Sequence, residues 1–223
     1  MLNNLNIGPR LYGIVAVAAL SLIVIILVGV NSLGTMFGEV NELYNEELLP
    51  MQDFGEVEQS VAEARAQLVL ALQHDPQSEF ATMHNHPTSL HTDAVRDQLE
   101  DINRSWQESE ERLRALDAGL ADDVEREIRA FEQAASTSVD HLLAGEYYQA
   151  NVNLLQRLNP AFAALDGSTS EAMDLKVAGA EESYNHAQQL FGQTRLLLAV
   201  IGLLAVAAVV ALAWLVIRSI TRP

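Results

Sequence analysis

The chain has 223 residues, a formal net charge of −17 and no cysteine. Disulfides and thiolate metal sites are therefore excluded, and an acidic chain whose single lysine is Lys176 makes a poor partner for nucleic acid. All 30 acidic residues fall between Glu39 and Glu182, together with nine of the 13 basic ones, and the other four are Arg10, Arg195, Arg218 and Arg222.

Residues 1–10 form a short segment ending in Arg10, and residues 11–30 are uncharged. A run of about 20 apolar residues can cross a ~30 Å hydrocarbon core as a helix. The run exceeds the ~7–15 residues of a cleavable signal core, and Val28-Gly29-Val30-Asn31 lacks the small-residue cleavage pattern, so it reads as an uncleaved anchor.

The pattern then becomes amphipathic. Leu33, Phe37, Val40, Tyr44, Met51, Phe54, Val61, Leu68 and Leu72 follow steps of three and four, the spacing of helices packed side by side. Pro50 predicts a kink within this helix, and His74-Asp75-Pro76 marks its end. Residues 76–90 hold Pro76, Asn85 and Pro87 and are the least regular stretch, with a short helical turn around 78–83.

A second bundle helix is predicted over residues 88–116, with Val95, Leu99, Ile102, Trp106, Ser109, Leu113 and Leu116 inward and Asp117-Ala118-Gly119 as its stop. The third is expected to start after Asp122 or Asp123 as N-cap, with Val124, Ile128, Phe131, Ala135 and Leu142 inward, and to close at Gly145. The loop at 117–122 would then hang partway down the bundle. The fourth opens at 146–148 and continues through Val152, Leu155, Phe162, Leu165, Met173, Val177, Ala180, Tyr184 and Ala187 into a second uncharged run at 196–217, with a kink at Pro160.

The expected fold is therefore all-α: an antiparallel up-down four-helix bundle, residues 31–194, between transmembrane helices at 11–30 and 195–217. The first and fourth helices would rise roughly 65–70 Å. Arg10, Arg218 and Arg222 lie on the two short outer segments, which the positive-inside rule assigns to the cytoplasm. The acidic middle is then outside, in a periplasm if the cell is Gram-negative, and the protein is a two-span inner-membrane protein.

This order of elements resembles the sensory part of methyl-accepting chemotaxis proteins of the four-helix-bundle ligand-binding type. The break at Leu48-Leu49-Pro50, the strings at 72–76 (LQHDP), 84–87 (HNHP) and 90–93 (LHTD), the turn Ala144-Gly145-Glu146-Tyr147 and the later Asn159-Pro160-Ala161-Phe162 carry the resemblance. Residues 218–223 look like the opening of a HAMP relay domain. The resemblance implies a dimer at least, a small-molecule ligand near the membrane-distal tip, and a cytoplasmic kinase and adaptor as partners through sequence beyond Pro223. The same bundle stands in front of sensor histidine kinases and cyclases, so an input role to a histidine kinase is the alternative. A ligand-independent tether or adhesin is the rival from another class.

In the resembled family, first-helix arginines hold ligand carboxylates with bidentate guanidinium geometry. Arg65 is the one first-helix arginine in this domain, on a 58-61-65-68-72 seam where an apolar residue is expected; the partner must be a ligand or Glu58 or Glu63. The positions of further arginines hold Val69 and Gln73, which argues against an aspartate site. Independently, helical phase brings Thr88 and Thr92, Ser138 and His141, and Tyr148, Asn151 and Asn153 within about 15 Å of the tip. Polar groups converging with an arginine suit an organic acid, with di- or tricarboxylates favoured. Arg96, Arg104 and Arg157 read as solvated or salt-bridged surface groups.

His84, His86 and His91, with His74 nearby, raise a metal reading. Their spacing matches no specific metal motif, and loop packing accounts for them equally, so no metal site is assigned. No phosphate loop, nucleophile elbow or H-E-x-x-H string occurs. Neither enzymatic activity nor a cofactor is expected.

Overall fold

In a computed structural model of the protein, the structure describes residues 7–221. Two compact units are present, Tyr44–Glu181 and the pair of segments Met1–Leu43 and Glu182–Pro223. Six α-helices carry the fold: α1 Ile7–Glu42, α2 Leu49–Leu72, α3 Ser89–Leu116, α4 Ala118–Leu143, α5 Tyr147–Asn153 and α6 Asn159–Thr221. Among the described residues there is no strand. Arg222 and Pro223, used above for charge topology and for the HAMP resemblance, lie outside the described residues.

The unit Tyr44–Glu181 is the up-down four-helix bundle expected from the heptad spacing. Successive helices pack on one another, α2 on α3, α3 on α4 and α4 on α5. Its core is one cluster built from Phe54, Val57, Val61 and Leu68 of α2, Val95, Ile102, Trp106 and Leu113 of α3, Val124, Ile128 and Phe131 of α4, and Leu154, Leu158 and Leu165 of the fourth bundle helix. Burying each such side chain contributes roughly 1.5–3 kcal/mol.

Pro50 and Pro160 neither end their helices nor kink them through a plain break. Each is preceded by a π turn, Leu43–Leu48 and Leu154–Leu158, that links the flanking α-helical segments without interruption. A proline ring clashes with the carbonyl four residues back and offers it no N–H. Widening the preceding turn, as a single π turn within an α-helix does, relieves the clash.

The α3–α4 connection differs from expectation. There is no loop at 117–122: Asp117 alone, extended at φ −144 and ψ 97, ends α3 and caps α4. Its carboxylate accepts the Leu120 backbone N–H at 2.9 Å, so the N-cap is Asp117 and neither Asp122 nor Asp123. Those two side chains instead take Arg114 and Arg126. Gly145 behaves as predicted, at φ 76. The Gly145 N–H bonds Leu142 O and the Glu146 N–H bonds His141 O, closing α4 with a Schellman cap.

Several inner lines shift. On the first helix Leu33, Phe37, Val40 and Tyr44 are exposed, and in the bundle burial begins at Pro50 and continues at Asp53 and Phe54. The α2 seam runs 54-57-61-64-68-71, so Ala64 and Ala71 occupy the core where residues 65 and 72 were expected. Leu116 is exposed. On the fourth bundle helix Leu155 and Val177 face out, while Ala150, Leu154, Leu158, Ala172 and Lys176 face in.

The other unit contains the two uncharged runs. Both lie in helices long and apolar enough to cross a membrane, and none of either apolar window is buried. Within this unit Arg10 Nη1 donates to Ser219 Oγ at 2.7 Å, and the Arg218 guanidinium stacks 5.2 Å over the Trp214 ring.

Candidate functional site

The bundle end formed by the 73–88 connection and the 144–146 turn carries most of the predicted site residues. The structure divides them into separate groups.

Arg65 stands beside the α2 seam and is half-buried. Its Nε donates to Asn159 Oδ1 at 2.8 Å, and its guanidinium lies 5.2 Å from the Phe162 ring centroid. The partner demanded by a charge at this position is thus on the fourth bundle helix, and neither Glu58 nor Glu63 serves it. Glu58 instead accepts from Thr169 and Ser170, at 3.1 and 3.2 Å, and Glu63 accepts from Gln67.

Thr92 is fully buried and returns its hydroxyl to Ser89 O of its own helix. Thr88 meets the Tyr147 hydroxyl at 3.5 Å. Ser138 and Asn153 are both buried and joined: Asn153 Nδ2 donates to Ser138 Oγ at 2.8 Å and to Ala134 O at 2.7 Å. These bonds knit α4 to α5. Tyr148 and Asn151 are exposed.

Three of the predicted residues share a concavity. His141, Tyr148 and Asn153 line an open groove of about 350 Å³ between α4 and the fourth bundle helix, with Thr137, Gln156 and Arg157. His141 Nδ1 is 2.7 Å from Glu146 Oε2. The cation of this groove is Arg157, which is exposed, as the sequence pattern expected; Arg65 is not part of it.

The histidines form a second site. His74 follows α2, His84 and His86 come from the connection, and His91 lies in the first turn of α3. One ring nitrogen from each falls within 4.8 Å of all the others. The side chains pack ring to ring, from 4.2 Å between the His74 and His84 centroids to 6.0 Å between His84 and His91. Burial pushes the His74 and His91 pKa values down, and the neighbouring imidazoles push them further. The chain separates these residues by up to 17 positions (74 to 91), and no spacing rule predicts that they meet.

A family model described as a four helix bundle sensory module for signal transduction matches residues 4–191. No curated protein and no solved structure matches the chain.

Proposed function

Because the chain belongs to the four-helix-bundle sensory module family of methyl-accepting chemotaxis proteins, we propose that it is a transmembrane chemoreceptor. In this reading the bundle faces the periplasm, binds a small organic acid, and acts through cytoplasmic sequence on a chemotaxis kinase and its adaptor. The observation that carries it is the continuity of α6. One helix runs from Asn159, through the core residue Leu165, to Arg218 and Thr221. A shift of an ångström or two imposed on the bundle portion has no loop in which to dissipate, and small shifts between packed helices are an established switching mode.

The groove on α4 and the fourth bundle helix is the proposed acid site. Arg157 supplies the charge, and Tyr148, Asn153 and His141 supply polar contacts, which is the mixture a small carboxylate pocket uses. Ser138 fixes the Asn153 amide from behind. Arg65 positions the fourth helix through Asn159. A homodimer is part of the proposal. Leu33, Phe37, Val40 and Tyr44 recur at steps of four and three and are all exposed, as are Val177, Tyr184 and Phe191 at steps of seven.

Calorimetric titration of the chain in lipid nanodiscs with succinate, malate and citrate tests the acid site. Saturable binding of one of them, weakened more than tenfold by Arg157→Ala, is the expected result. Binding of none by a folded dimer would remove the organic-acid assignment. A break in α6, such as a Gly-Pro insertion beside Gly192, should leave that binding intact and abolish any ligand-induced change at Arg218, read by a spin label there.

A further inference from the structure

We propose that His74, His84, His86 and His91 form a binding site for a divalent borderline transition metal, with Zn²⁺ the ion that the geometry fits best. The four imidazoles come from both sides of the first bundle connection and place one nitrogen each within 4.8 Å of the rest. In a tetrahedral zinc site with Zn–N of about 2.0–2.1 Å, the ligand nitrogens lie about 3.3 Å apart. Here the His86 and His91 Nε2 atoms are 3.0 Å apart, and His84 Nδ1 is 3.5 Å from His86 Nε2.

The outer nitrogens say which atoms face inward. His91 Nδ1 donates to Gln67 Oε1 at 2.7 Å, His84 Nε2 to Gln73 Oε1 at 3.3 Å, and His86 Nδ1 to Asn85 Oδ1 at 3.4 Å. An amide oxygen can only accept, so each outer nitrogen carries the ring proton. The inner nitrogens of His86 and His91 are then bare lone pairs pointing at each other across 3.0 Å. That contact is repulsive unless a proton or a metal ion lies between them. An amide or carbonyl behind the imidazole, as His84, His86 and His91 have, is also the arrangement that fixes metal-ligating histidines in other sites.

His74 adds an independent observation. Its Nε2 is buried and has no hydrogen-bond partner, although its ring touches those of the other three. Ring packing alone explains the stacking and leaves this nitrogen orphaned, whereas a metal satisfies it. Among the described residues no carboxylate is ion-paired with any of the four; the histidines paired in that way are His141 and His186.

The ligand set also selects the ion. Four neutral nitrogen donors without carboxylate oxygens do not suit Mg²⁺ or Ca²⁺, which take oxygen ligands. Imidazole suits Zn²⁺, Cu²⁺ and Ni²⁺, and a closed tetrahedral set favours Zn²⁺ among them. The frame is preset. His74 follows the α2 C-cap and His91 opens α3, while Asp75 Oδ1 accepts the Gln77 N–H at 2.9 Å to turn the chain between them. Bound metal would clasp the end of α2 to the start of α3.

The test uses the chain without a histidine tag, in detergent or nanodiscs, stripped with chelator and titrated with Zn²⁺ against a chromogenic competitor. One Zn²⁺ per chain is expected, with a rise in thermal midpoint. Loading with Co²⁺ should give the intense visible absorption of a tetrahedral centre. His86→Ala and His91→Ala should each weaken binding more than tenfold, and Gln67→Leu, which touches no metal, about tenfold or more. His186→Ala, outside the cluster, should leave Zn²⁺ binding unchanged. Absence of stoichiometric binding, or a weak octahedral Co²⁺ spectrum from the unmutated chain, overturns the proposal even if a variant fails to fold. Binding that survives His86→Ala and His91→Ala places the metal elsewhere and overturns it as well.

Discussion

Lys176 donates its Nζ to the backbone carbonyl of Glu46 at 2.7 Å, and that carbonyl is the one whose regular helical partner would be the N–H that Pro50 lacks. The only lysine of the chain is thus spent inside the bundle, with 2 % of its side chain exposed. Its ammonium is also 3.5 Å from Glu47 Oε2, an ion-pair distance without a hydrogen bond, since that buried oxygen has no hydrogen-bond partner.

Removing this lysine takes the donor from the Glu46 carbonyl and the counter-charge from the buried Glu47 oxygen. Breaking one side of a buried pair costs about 3–5 kcal/mol. Lys176→Ala should therefore lower the unfolding free energy by an amount in that range, read by urea denaturation followed by circular dichroism. Lys176→Met with Glu47→Gln should recover part of it. Equal losses in the single and double variants would show that the charge pair contributes nothing.

The proline and the lysine should be coupled. Pro50→Ala returns a backbone N–H in reach of the Glu46 carbonyl and lets the turn at Leu43–Leu48 tighten from π to α. Lys176→Ala should then cost less on the Pro50→Ala background than on the native one, with an interaction energy of about 0.5–3 kcal/mol in a double-mutant cycle. Additive effects would mean that the lysine acts only through Glu47.

The sequence showed the bundle and both apolar runs because their signals are long and periodic. Gly145 was legible because it has a single physical consequence, whereas the two prolines announced a perturbed helix but not the π turns that precede them. What failed was one-residue phase. Ala64 and Ala71 are buried core positions, yet alanine is common on either face of a helix, so Arg65 looked like a seam residue. Lys176 was invisible for the opposite reason, since nothing in a helical pattern announces that a charge will meet a carbonyl left over by a proline 126 positions away. The histidine cluster depends on the fold of the 73–88 connection, where no repeating pattern operates.

Glu132 supplies a pH dependence. Burial raises its pKa, opposed by the hydrogen bond from Asn103 and by Arg129. Between the unfolded value of about 4.5 and the raised folded value, the folded chain holds more protons. Stability from this group is therefore present at low pH and lost as pH rises through the folded value, so at pH 7 the carboxylate is a burden. Glu132→Gln, which can still accept from Asn103, should raise the thermal midpoint at pH 7 by a few degrees, the size of a change under about 1 kcal/mol. The gain should vanish below about pH 4.5. A midpoint lowered at pH 7 would show that the Asn103 bond requires the charge.

Arg65 separates two roles that a binding assay alone would confuse. Its Nε bond to Asn159 and its stacking on Phe162 predict a structural contribution, about 1.5–3 kcal/mol for a hydrogen bond to a charged donor plus about 0.5–1 kcal/mol for the cation–π contact. Arg65→Ala and Asn159→Ala should each destabilise the bundle, and their double variant should lose less than the sum. Arg65→Lys keeps the charge and loses the fork, so it should behave like Arg65→Ala if the Asn159 bond is what matters. A ligand-holding arginine would show the reverse: little change in unfolding, no coupling to Asn159, and a large loss of acid affinity. Denaturation and titration of the same four proteins distinguish the two, and the geometry predicts that stability moves first.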